Sequence, residues 1–261
     1  MTDHSWGLVG TTVLELRHDG THYVAKAGDP ADRHIAREVR AHREWLQPWT
    51  SQGRAPQLVQ ADAEAKLLLT RYLPGELAQG NSYEQLPDTY LQAGELLALF
   101  HQQLAVEDLE FEAREKAKTL AALGKPHRIA PELTERLRAE VETWPTPATT
   151  PATTLVPTHG DWQPRNWLVH GGVVSVIDFG RADLRPALTD FARLAVQQFQ
   201  GNPGFESAFL QGYGSDPREP DAWRRNRLRE AIGTAVWAYQ VRDEGFEQQG
   251  HRMIAEALTE S

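Results

Sequence analysis

Thr158-His159-Gly160-Asp161-Trp162-Gln163-Pro164-Arg165-Asn166, followed after one short strand–turn–strand pattern by Val176-Ile177-Asp178-Phe179-Gly180, is the stretch from which the rest of the chain is read. Asp161 and Asn166 share a loop that follows the strand-like Leu155-Val156. Trp167 to His170 and Val173 to Ile177 read as strands joined by Gly171-Gly172, a two-residue hairpin turn. Antiparallel pairing returns Asp178 to the side of Asn166, so three oxygen-bearing side chains converge at one end of a hairpin. Magnesium favours hard oxygen ligands of this kind, with phosphate and water completing an octahedron. Asp161 is then left to accept a proton from an incoming hydroxyl. Such a layout suits phosphoryl transfer, where positioning and electrostatics supply most of the catalysis.

Upstream, Val13 to Arg17 and Thr21 to Ala25 alternate as strands around an Asp19-Gly20 turn. A helix is expected from about Asp32 to Trp49, with Ile35, Val39, Trp45 and Leu46 at near-helical spacing. Gln57 to Gln60 and Lys66 to Tyr72 look like two more strands, closed by Pro74-Gly75. Beyond that point the chain reads as mainly helical, with helices at Tyr90 to Leu104, Pro131 to Trp144, from about Leu188, and Trp223 to Arg242. Thr143 to Thr154, rich in Pro and Thr, reads as an exposed connection. The expected organisation is therefore a strand-rich part, residues 1–75, followed by a larger helical part, residues 76–261.

The 261 residues are 40% hydrophobic, enough for a substantial core, and contain no Cys, which rules out disulfides and thiolate chemistry. No apolar run reaches the roughly 18 residues of a membrane span, and the N-terminal residues carry no basic-then-apolar leader, so a cytoplasmic protein is expected. The net charge of −9 argues against nucleic acid as a partner. Lys/Arg and Asp/Glu balance at nine each through Gly75, whereas 18 Lys/Arg meet 27 Asp/Glu beyond it. That excess reads either as a solvated acidic surface or as attraction for a cationic ligand.

The HGD-x-x-x-x-N and IDFG motifs, in this order and one hairpin apart, resemble those of the aminoglycoside phosphotransferase and choline kinase family, relatives of protein kinases. The resemblance implies an α+β fold, bilobal and protein-kinase-like, with a small strand-rich N-lobe and a larger, mainly helical C-lobe. It implies a small-molecule kinase using ATP or GTP with Mg2+. By resemblance, Asp161 is the catalytic acid–base residue, and Asn166 and Asp178 hold the metal. Lys26, in Tyr23-Val24-Ala25-Lys26, is the strand lysine that steadies the phosphates, held by Glu38, with Glu44 as second choice. A surface Lys and a solvated helix Glu are the plain alternatives. Thr70 would back the adenine pocket and the backbone of Arg71 and Leu73 would bind adenine. His159 and Asp190 would brace the catalytic loop, although Thr189 or Asp190 could equally cap a helix.

Three departures from protein kinases bear on the substrate. No G-x-G-x-x-G is present, so Gly7 and Gly10-Thr11-Thr12 must cover the phosphates. The loop reads His-Gly-Asp, without the arginine that senses a phosphorylated activation loop. The chain between Gly180 and Asp190 is too short for a peptide-docking segment. All three imply a small acceptor. The resemblance and the acidic excess together suggest a cationic one: an aminoglycoside or another antibiotic, or else choline, ethanolamine or an amino sugar. Asp183, Asp243, Glu244 and Glu247 are the acids named as candidates to bind it. A catalytically inactive kinase-like binding protein is the alternative from another class.

Overall fold

The computed structural model describes residues 1–5, 10–146 and 152–259. In chain order its strands are β1 (Thr2–Asp3), β2 (Thr11–His18), β3 (Thr21–Gly28), β4 (Leu58–Asp62), β5 (Leu67–Arg71), β6 (Glu76–Leu77), β7 (Val106–Asp108), β8 (Thr153–Thr158), β9 (Trp167–His170), β10 (Val173–Val176) and β11 (Asp183–Arg185). Its helices are α1 (His34–Glu44), α2 (Gln47–Thr50), α3 (Pro87–His101), α4 (Phe111–Leu123), α5 (Pro131–Glu142), α6 (Ala192–Leu194), α7 (Pro203–Tyr213), α8 (Pro220–Val241) and α9 (Glu244–Thr259). The strand-rich N-terminal part and helical C-terminal part match the expected kinase-like class. None of the helices among the described residues is long and apolar enough to cross a membrane.

The chain divides into two compact units, one of Met1–Ala105 with Val156–Asp216, the other of Val106–Leu155 with Pro217–Ser261. This division does not fall at Gly75. Within the first unit, β6 pairs with β9, Glu76 opposite Val169, which places the β9–β10 hairpin in the same body as the N-terminal sheet. Trp49 strengthens that union: its indole donates to Leu96 O at 2.9 Å, and its ring stacks on Phe100 and Trp162 at 4.3 and 5.7 Å.

The N-terminal sheet has the order β1-β2-β3-β5-β4. Asp19 and Gly20, both at positive φ, make the tight turn between β2 and β3, with His18 opposite Thr21. Across β3, Lys26 faces Val13 on one side and Leu68 on the other. Helix α1 covers the sheet with Ile35 and Val39 packed on Leu68, and Asp32 Oδ1 accepts the Ile35 amide at 2.8 Å near its start. The single helix expected from Asp32 to Trp49 is instead broken at Trp45–Leu46. Pro48 explains the break: it has no N–H to bond to Glu44 and its ring would press on that carbonyl.

Helices α3 and α7 cross within backbone distance. A Cβ on Gly94 would strike Phe209 O, and one on Gly212 would strike Leu91 O. In the second unit, α4, α5, α8 and α9 enclose Leu123, Leu137, Val141, Trp144, Leu228, Ile232 and Ile254. Gly250 there sits against the backbone of Ala235. Within the expected Pro/Thr-rich connection, Thr153 onward is strand β8, pairing with β7 and then with β11, while residues 147–151 lie outside the described residues.

The glycine contacts make opposite forecasts for chemically identical changes. Gly94→Ala should destabilise by about 2–3 kcal/mol through overpacking against backbone that cannot yield. Gly233→Ala, in α8 with nothing within 4 Å of the added carbon, should stabilise by about 0.5–1 kcal/mol through helix propensity alone. Urea denaturation of both variants checks the sign of each; a stable Gly94→Ala would refute the close crossing.

Candidate active site

The loop after β8 is shaped by residues with no alternative. Gly160 has φ of 77°, and a Cβ there would strike Arg181 O and lie 2.7 Å from Arg185 Nη1. Asp190, 2% exposed, accepts the amides of His159 and Gly160 at 2.7 Å each and lies 3.2 Å from His101 Nε2. His101 in turn meets the Tyr213 hydroxyl through Nδ1 at 2.8 Å. Burial opposes the charge on Asp190, but these donors, led by His101, hold its carboxyl below the usual range. The His159 ring is fixed too: Nε2 meets Ile177 O at 3.1 Å, and the Asp161 amide meets Nδ1 at 3.3 Å. A carbonyl only accepts and an amide N–H only donates, so the His159 proton sits on Nε2.

Asp161, 4% exposed, points its carboxylate into a set of donors. Gln163 Nε2 donates to Oδ1 at 2.5 Å and Arg193 Nε lies 2.7 Å from the same oxygen. Arg165 Nη2 donates to Oδ2 at 2.5 Å, and Asn166 Nδ2 to Oδ2 at 3.1 Å and to the Asp161 carbonyl at 2.8 Å. Burial pushes the carboxyl up, yet the guanidiniums of Arg193 and Arg165 more than offset it and hold it below its ordinary value.

A second cluster adjoins the hairpin end. Lys26 Nζ donates to Glu38 Oε1 and Oε2 at 2.8 and 3.0 Å and to Asp178 Oδ1 at 3.2 Å. Burial works against the Lys26 ammonium, but Asp178 and Glu38 overcome it and keep the ammonium charged well above its usual range. Burial pushes Glu38 up despite Lys26, whereas Lys26 draws the exposed Asp178 carboxyl down to about 2. Asp178 adopts φ of 67°, a left-handed conformation that costs a non-glycine residue about 1–2 kcal/mol. The Ile177 amide donates to Asn166 O at 3.0 Å, locking the register between the two motif halves. Phe179, fully buried, packs on Trp49, His42 and His159.

The remaining expected residues divide sharply. Thr70 is buried on β5, and Leu73 is half-buried beyond it. The Arg71 amide is committed to Gln57 O at 2.8 Å, so any ligand contact from its backbone must use the carbonyl. Gly10 stands beside Asp29, whereas Gly7 lies outside the described residues. Among the acids, Asp183 is bound by Arg40 at 2.7 Å, and Asp243 accepts the Phe246 amide at the start of α9. Glu244 and Glu247 line a cavity of about 420 Å³ in the second unit with Arg128, Tyr239, Gln240 and Arg242. Glu247 there faces Arg128 at 3.6 Å and His251 at 3.7 Å.

Sequence reading missed Gln163, Arg165 and Arg193 as partners of Asp161, and His101 as a partner of Asp190. Arg165, four residues beyond Asp161 in the same loop, could have been found from its spacing. Nothing in the sequence signals Arg193 or His101.

The Asp190 contacts predict a graded stability series. Asp190→Asn should cost about 2–3 kcal/mol, because one buried amide or His101 loses an anionic acceptor. Tyr213→Phe, which removes one hydroxyl from the outer end of the chain, should cost about 1 kcal/mol. Equal losses in urea denaturation would show that Asp190 does not carry the loop.

The family model described as "Phosphotransferase enzyme family" matches residues 8–225. No curated protein sequence matches the chain. Among solved structures, the macrolide 2'-phosphotransferase MphH from Brachybacterium faecium is similar with a TM-score of 0.60 at 18% identity, covering 97% of this chain and 90% of that one. Choline kinase LicA from Streptococcus pneumoniae is similar at 0.67 and 13% identity, covering 97% and 90%. A thermostable mutant of aminoglycoside phosphotransferase APH(4)-Ia, in ternary complex with ADP and hygromycin B, reaches 0.67 at 14% identity, covering 99% and 92%. With a fold, two motif halves and a family model in agreement, the chain belongs to the phosphotransferase enzyme family.

Proposed function

We propose that this protein is a small-molecule kinase that transfers the γ-phosphoryl group of ATP or GTP to a hydroxyl. The observation that carries this reading is the meeting of Lys26, Glu38 and Asp178 at the end of the hairpin whose other side holds Asp161 and Asn166. A catalytically inactive binding protein would have no need to retain all five. The complex of APH(4)-Ia with ADP and hygromycin B supports a nucleotide and a small molecule as the ligand classes.

Lys26, kept charged by its two acids, would bind phosphate oxygens. Thr70, the Arg71 carbonyl and Leu73 would receive the base. A magnesium ion here would draw on one or two protein oxygens, with phosphate oxygens and water completing its shell. Asn166 and Asp178 fit that role. The Asn166 amide nitrogen is spent on Asp161, which leaves its oxygen for a cation, and Asp178 is exposed and ionised down to about pH 2. Bound magnesium would neutralise charge on the transferring group. Asp161 orients the acceptor hydroxyl and takes its proton, and His159, Gly160 and Asp190 keep it in place.

The expectation of a cationic antibiotic or amino-alcohol acceptor rests on charge balance and resemblance. Asp183, Asp243 and Glu247 are engaged by Arg40, a helix start and Arg128, so they lend it little support. The reading therefore commits to a hydroxyl acceptor and not to its charge.

Three variants test the assignment. Asp161→Asn should lower kcat at least 100-fold, in product formation followed by mass, with nucleotide affinity unchanged. Asp178→Ala should abolish magnesium-dependent nucleotide binding in calorimetry, while Asn166→Ala, losing a neutral ligand, should weaken it less. Full activity in Asp161→Asn, or equal losses for Asp178→Ala and Asn166→Ala, would overturn the roles given to them.

A further inference from the structure

A carboxylate offers about four lone-pair sites, and on Asp161 all four are taken. Gln163 and Arg193 share Oδ1, and Arg165 and Asn166 share Oδ2. A hydroxyl cannot hand its proton to this carboxylate until one donor leaves. Gln163 and Asn166 are 4% exposed and held within the loop, whereas the side chains of Arg165 and Arg193 are 31% and 24% exposed. Of the four donors, the two guanidiniums sit on long, part-exposed side chains and are the ones a ligand can reach, whereas the two amides are buried in the loop. A guanidinium that leaves a carboxylate needs another oxyanion to offset the lost charge-assisted bond. Arg181, exposed in the segment after Gly180, adds a third positive charge acting on Asp161.

Resting on the kinase reading above, we infer that Arg165 and Arg193 are oxyanion-binding residues that hold Asp161 in a closed state and release it when a ligand oxyanion takes a guanidinium in exchange. The oxyanion is either a carboxylate or phosphate on the acceptor or the transferring phosphoryl group itself. Where the oxyanion belongs to the acceptor, the reacting end of the acceptor is anionic; where it is the phosphoryl group, the exchange sets nucleotide affinity and leaves the acceptor's charge open. The local field around Asp161 is thus opposite in sign to the protein's net charge of −9.

The test uses the full chain with magnesium and ATP against two matched series, glucuronate, glucose and glucosamine, and glycerate, glycerol and 3-amino-1,2-propanediol. Product is scored by mass, and hydrolysis by water is followed in parallel. Arg165→Gln and Arg193→Gln keep a hydrogen-bond donor for Asp161 but lose the charge; Arg193→Lys restores the charge. Should the oxyanion belong to the acceptor, the carboxylate compounds are preferred, their KM rises at least tenfold in the Gln variants, the neutral compounds move less than twofold, and Arg193→Lys recovers most of the loss. Should it be the phosphoryl group, the Kd for Mg·AMP-PNP measured by calorimetry rises at least tenfold in both Gln variants. Turnover that favours the ammonium compounds or ignores charge, with nucleotide affinity unchanged in both variants, overturns the inference and leaves the kinase reading standing. Absence of any Asp161-dependent turnover or hydrolysis overturns the kinase reading and the inference together.

Discussion

Two adjacent backbone amides, those of His159 and Gly160, point into a space that water does not reach, and the Asp190 carboxylate receives both. An unpaired amide in such a place costs about 1–3 kcal/mol, so this one acid decides whether the loop can exist in its present form. Everything downstream inherits its position. His159 can turn its Nε2 to Ile177 O only because its own backbone is held, and Asp161 follows in the chain with its amide on His159 Nδ1. The glycine between them makes a turn that no larger residue could enter, because Arg181 and Arg185 already fill the space.

The motif halves were legible in the sequence because each residue in them answers a local demand. Asp161, Asn166 and Asp178 fall where a short hairpin must bring them together, and the Gly171-Gly172 turn and the strand lengths make that hairpin readable from local sequence, although β6, Arg54 and Gln92 also bond to it. Lys26 and Glu38 were legible only through resemblance, since nothing local distinguishes a strand Lys from a solvated one. The contacts that escaped are those between segments remote in the chain. Arg193 reaches Asp161, and His101 reaches Asp190, through the tertiary fold alone.

A missed helix has a similar cause. Helix α4 buries only Phe111, Thr119 and Leu123, too few to mark a face by pattern. Helix α7 lies within the region expected to be helical from about Leu188, but its tight seat on α3 depends on Gly212, a residue that reads as a helix breaker in isolation. The reverse error, one helix expected from Asp32 to Trp49, followed an apolar spacing that ran through Pro48. There the covalent constraint of proline prevailed over periodicity, and the break turned Trp49 into the core, where its indole reaches Leu96 O.

Charge must be read at the same scale as the chemistry it serves. A net excess of acids spread over a surface is screened within about 8 Å at physiological salt, so it says little about a buried carboxylate. What acts on Asp161 is the pair of guanidiniums within hydrogen-bond distance, in a setting where water screens them weakly. The same holds for Lys26, whose two acids outweigh the burial that would otherwise discharge it. The two clusters are therefore complementary. One keeps a cation ready beside an exposed acid, and the other keeps an anion masked beneath two arginines. The loop anchored by Asp190 carries the masked anion, and the hairpin that follows it ends at the acid beside the cation, so one stretch of chain sets the position of both clusters.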